Sequence, residues 1–139
     1  MTTPSDRKNT LPRVRRRFDD RGLASVEFAV LALVVLALAF TAIQAGLYFH
    51  ARKVAHSAAR QGVEAGRQSG ASEADGVAQA QTFLARFGGS VQGSSVSSAG
   101  STVQQIRITV RGSVATLVPG VTLNVVQHAE APIERWTTP

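Results

Sequence analysis

The stretch LASVEFAVLALVVLALAFTAIQAGLYFHA, residues 23–51, decides how the rest of the chain is read. Its only formal charge is Glu27. From Phe28 to Phe49 it is about 22 residues long, which at 1.5 Å per residue matches a hydrocarbon core of about 30 Å, so it predicts a transmembrane helix. Tyr48 falls where an aromatic side chain would meet the far interface, and Gln44 can be satisfied near that end or against a neighbour.

The sequence on either side of this stretch fits a single pass. Residues 1–22 form a basic leader, expected to be disordered, in which Pro4 and Pro12 oppose a helix. Arg7, Lys8, Arg13, Arg15, Arg16, Arg17 and Arg21 precede the apolar run, and this accounts for much of the net charge of +6. Cations crowded before a span hold that end in the cytoplasm, which leaves the C-terminal body extracytoplasmic. Nucleic acid is not an expected partner, because no aromatic-interleaved basic surface accompanies the charge. With 139 residues and no cysteine, the remainder is a small body stabilised by packing, lipid or partner subunits rather than by disulfides or a thiolate metal site.

Past the span the helix is expected to continue to Ser69, giving a helical segment over 23–69. Ala51, Ala55, Ala58, Ala59, Gly62 and Gly66 recur at three- and four-residue spacing. Such a seam lets another backbone approach closely, although alanine is also simply the best helix former, and both readings stand. Gly70 ends the helix, and Ser72, Glu73 and Asp75 cap a second one over 70–87, with Val77, Ala80, Phe83, Leu84 and Phe87 on one face. Residues 88–102 read as a Gly/Ser-rich loop. In the tail, 103–139, Ile106, Ile108 and Val110 alternate with Arg107, Thr109 and Arg111, and Val121, Leu123 and Val125 alternate with Thr122 and Asn124. Two strands joined through a type II turn at Pro119-Gly120 follow, so the fold class is an α+β membrane protein: a long N-terminal helix, a short second helix and a small antiparallel sheet or hairpin.

Glu27 carries the functional reading. An ionised carboxylate entering lipid costs about 2.5–3.5 kcal/mol on insertion scales, so it needs a partner. If a peptidase cut after Gly22, the new α-amino group of Leu23 would lie one turn from Glu27, or would face the carboxylate of a neighbouring subunit, and pairing between chains would set the register of packed helices. The arrangement of a basic leader, Gly22, four residues, then Glu27-Phe28 and an apolar helix resembles a type IV prepilin signal. The resemblance widens through Gly46–Ala55, Ala58–Arg67 and Val118-Pro119-Gly120 to the TadE-like pseudopilins of tight-adherence (Flp) pilus systems. It implies that Gly22 and Leu23 flank a prepilin peptidase processing site and that Glu27 is the assembly carboxylate. The product would be a minor pilus or assembly-platform subunit, with the peptidase, other pilins, platform proteins and membrane lipid as partners, located in the cell membrane or in a surface pilus.

No enzyme, small-molecule substrate, cofactor or metal site is expected. His50, His56 and His128 lack the four-residue spacing of a helical zinc pair, the Ser-rich run at 90–101 contains no nucleophile elbow, and Gly88, Gly89 and Gly93 do not open a helix after a strand. The alternative function is a secreted or membrane-tethered small binding domain, with Ala37-Leu38-Ala39 as a signal-peptidase site or the helix as an uncleaved anchor.

Overall fold

In the computed structural model the described residues are 20–134, so the leader expected over 1–22 lies mostly outside them, as does the end of the tail. Helix α1 runs Asp20–Gly66, α2 Glu73–Phe87, a 3₁₀ turn Gly88–Ser90, and three strands follow: β1 Gln92–Ser97, β2 Gln105–Val114 and β3 Leu123–Pro132. By contact density the chain divides at Leu36, and Ala37 onward forms the body.

α1 starts three residues ahead of the expected Leu23, since the last proline upstream is Pro12 and nothing nearer forbids the helical backbone. It ends at Gly66, short of Ser69. The Arg67 N–H still reaches the Val63 carbonyl at 2.9 Å, the chain then turns, and Gly70 takes φ +86°, a conformation costly for residues with a Cβ. α2 begins at Glu73, not Gly70, because Ser72 supplies a capping box: its hydroxyl accepts from the Asp75 N–H, and the Ser72 N–H donates to Asp75 Oδ2 at 2.8 Å.

The body packs two helical segments against one face of the sheet. Ala51, Ala55, Ala58 and Ala59 are fully buried in a core with Ala80, Leu84, Ile106, Ile108, Val110 and Val125. At the closest point a Cβ on Gly62 would stand 2.7 Å from the Gly76 carbonyl oxygen and 3.2 Å from Ile108 Cγ2, while one on Gly66 would collide with Ile106 Cδ1. The small-residue seam thus meets α2 and β2 of its own chain.

The antiparallel sheet has the order β1-β2-β3. On β2 the expected alternation holds, with Ile106, Ile108 and Val110 buried and Arg107 and Arg111 turned outward, where Arg107 Nε lies 3.0 Å from Glu130 Oε2 on the facing position of β3. The turn Val118–Val121 closes through a 3.3 Å Val121 N–H to Val118 carbonyl bond, and Gly120 at φ +82° supplies the positive φ that a type II turn requires.

Three sequence-based expectations are corrected. The Gly/Ser-rich loop over 88–102 contains a strand: Gln92–Ser97 has only Val96 as an apolar residue, so its pairing with β2 rests on backbone hydrogen bonds that carry no hydrophobic period. A bulge between Gln92 and Ser95, with Gly93 at φ +57°, further breaks the pattern. Phe87, expected on the inner face of α2, is 60% exposed and stacks instead on Phe83, with ring centroids 4.9 Å apart. Val121 was expected inside the second strand; it is exposed and precedes β3.

Gly62→Ala or Gly76→Ala should destabilise the body by about 1–3 kcal/mol, since each methyl meets a backbone carbonyl that neither helix can move aside. Gly46→Ala, with nothing within 4 Å, should be neutral or stabilising. Thermal unfolding of the detergent-solubilised full chain would separate them. The capping contacts from Ser72 hold the Asp75 carboxyl below its ordinary value of 3.8. The linked stability is therefore complete above that pH and is lost as the pH falls below it. Asp75→Asn should flatten the acid limb of a Tm-against-pH curve below about pH 4.

Candidate functional site

Among the described residues, nothing covers the apolar side chains of the N-terminal half of α1. From Ala24 onward it is long and apolar enough to cross a membrane, with a mean hydropathy of 2.6 over its most apolar 18-residue window, none of it buried. Val26, Phe28, Leu33 and Leu38 are each more than 60% exposed. Apolar surface this continuous calls for lipid or a partner helix.

Polar groups on this segment fall into two kinds. Those toward its C-terminal end are satisfied within the chain. The Thr41 hydroxyl donates to the Ala37 carbonyl at 2.8 Å, and the Gln44 amide makes two bonds to the β2–β3 connection, donating to the Ala115 carbonyl at 3.2 Å and accepting from the Leu117 N–H at 2.9 Å. The two options the sequence left for Gln44 resolve to a loop of its own chain. Glu27 is different: it is exposed, and its carboxylate makes no hydrogen bond or ion pair among the described residues. Gly22 and Leu23 lie in the first turn of α1, with no atom within 4 Å of where a Gly22 side chain would begin.

The expected site residues therefore occupy two places. Gly22, Leu23 and Glu27 share the start of α1, about one turn apart, with Gly22 and Glu27 exposed. Ala51, Ala55, Ala58, Ala59, Gly62 and Gly66 lie in the core of the body.

A family model described as TadE-like protein matches residues 22–64. Over this segment the chain is similar to that family. The TadE-like segment opens at Gly22, contains Glu27 and the apolar helix, and closes within the small-residue seam, leaving α2 and the sheet outside the match. It associates the chain with tight-adherence pilus systems in general, and with the exposed apolar helix it indicates membrane association. No curated protein and no solved structure matches the chain.

Sequence reasoning missed the Gln44 clamp, whose partners lie more than 70 positions away. Two groups pairing across that separation leave no periodic signal. Gln44→Leu would keep the helix but strand the Leu117 N–H and the Ala115 carbonyl, at a cost of about 1–3 kcal/mol. Hydrogen exchange at the Leu117 amide should accelerate roughly tenfold or more, while exchange in β2 stays unchanged.

Proposed function

We propose that the chain is a minor pseudopilin or assembly subunit of a tight-adherence pilus, held in the cell membrane by α1 and processed by a prepilin peptidase after Gly22. The observation that carries this reading is Glu27, a carboxylate without a partner among the described residues, at the head of an exposed apolar helix and inside the segment that matches the TadE-like model. Its chemistry suits the role. Cleavage at Gly22 creates an α-ammonium on Leu23, four residues before Glu27 and so on the same helical face. Within one chain, that cation and the helix dipole both favour the carboxylate. Between chains, the ammonium of one subunit and the carboxylate of the next would fix the axial offset of two otherwise featureless apolar helices.

The excess of Lys and Arg ahead of the helix favours a cytoplasmic N-terminus and an extracytoplasmic body. Other pilins, pseudopilins and platform proteins are the partners this arrangement would engage. The small-residue seam is occupied by α2 and β2. Contacts between subunits would therefore use the apolar first half of α1 and the outward surfaces of the body.

The decisive measurement is the N-terminal residue of the mature protein, by intact mass in native membranes. Leu23 supports the reading; Phe40, or an intact leader, overturns it in favour of a secreted domain or a simple anchor. Gly22→Val should leave the precursor inserted and uncut. Glu27→Gln should insert and be processed, yet lose most co-purification with pilus components, and normal recovery of those partners would refute the pairing argument.

A further inference from the structure

The connection between β2 and β3 has an unusual composition for a loop on an extracytoplasmic body. From Gly112 to Gln127 the sequence contains no Asp, Glu, Lys, Arg or His. Its tip instead shows Leu117, Val118 and Val121, 47%, 57% and 46% exposed, around Pro119.

Its position along α1 gives this composition a meaning. The Gln44 amide holds the loop at Ala115 and Leu117. Arg52, whose guanidinium lies 6.0 Å from the centre of the Tyr48 ring, begins the charged part of the helix. Gln44 precedes Arg52 by eight residues, about 12 Å along the axis. A headgroup layer is only some 5–8 Å deep on each side of the hydrocarbon. With Tyr48 and Arg52 at the interface, the loop is therefore held at or below the headgroup–acyl boundary. Leu117 and Val118 also wall an apolar hollow of about 730 Å³ against Ala37, Phe40, Thr41 and Tyr48, the same turns that carry the span.

Backbone entering that zone must satisfy its own polar groups. At this tip it largely does. Besides the two Gln44 bonds, the Thr116 hydroxyl lies 2.6 Å from the Val121 carbonyl and 3.1 Å from that of Val118, Val121 N–H donates to the Val118 carbonyl, and Pro119 has no N–H to satisfy.

We propose that the β2–β3 loop is a second lipid-contacting element, seated in the leaflet nearest the body, with acyl chains filling the hollow between the loop and α1. The proposal rests on α1 spanning the bilayer. It commits to lipid because the loop's apolar tip shares the hollow with Phe40 and Phe49, which are themselves exposed on the span. The loop would fix how the body is seated on the membrane, a restraint that a single helix passing through the bilayer does not supply.

The chain has no cysteine, so a single introduced thiol can be labelled uniquely. Val118→Cys, Leu38→Cys as a control for the span and Gln81→Cys as a control for water would each carry an environment-sensitive nitrobenzoxadiazole dye. The full-length protein would be reconstituted in phosphatidylcholine–phosphatidylglycerol vesicles. The expected result is blue-shifted emission at 118 and 38, both losing most of their intensity when doxyl-labelled lipid is included, with position 81 unaffected. Position 118 emitting like position 81 while position 38 is quenched would overturn the proposal and leave the span intact. A blue shift at 118 without lipid quenching would also overturn it, because a protein then fills the hollow. Absence of quenching at 38 would remove the span and the proposal together.

Discussion

The backbones of Gly62 on α1 and Gly76 on α2 approach so closely that neither position has room for a methyl group. This contact brings α2 down onto α1, and the pair then offers Ile106 and Ile108 the surface against which the sheet packs. Alanines at 51, 55, 58 and 59 extend the same closeness along the helix. With larger side chains there, α2 and the sheet would stand off and leave voids that so small a body has little burial to offset.

The same helix carries two surfaces with different fates. Its first half exposes Val, Leu and Phe, its second half is alanine-rich and packed into the body, and the match to the TadE-like model runs through both. Glu27 is the one ionisable group on the first surface after Arg21, and among the described residues it stays unpaired. A carboxylate in that setting is costly unless another molecule, or a newly made terminus, supplies the positive charge. In the proposed role Glu27 would be completed by another molecule, whereas stability is carried by contacts completed within the body.

Much of this was legible in the sequence, and the exceptions have physical causes. The apolar run, the Ser72 cap, the alternation of Ile106, Ile108 and Val110 and the turn at Pro119-Gly120 each encode structure locally, through period or a conformational demand. Strand β1 did not, because Gln92–Ser97 joins the sheet through backbone hydrogen bonds and shows no apolar face. The neighbour of the small-residue seam was equally hidden: spacing says that something can come close, not whether it belongs to the same chain. The place of Gly22, Leu23 and Glu27 at the start of the apolar helix was readable from the sequence, while the Gln44 clamp on the β2–β3 loop required the tertiary fold to be known.

The alanine seam also bears on the order in which the chain is made. Synthesis delivers α1 before α2 or any strand exists, so the face at 51–66 must wait, uncovered, for core residues as far downstream as Val125. Adhesion of an uncovered face scales with its apolar area, and an alanine face offers much less of it than a leucine face of equal length. The nascent helix can therefore linger beside identical copies with little tendency to stick, and it becomes committed only when its own later segments arrive with the larger Leu84, Ile106, Ile108 and Val110.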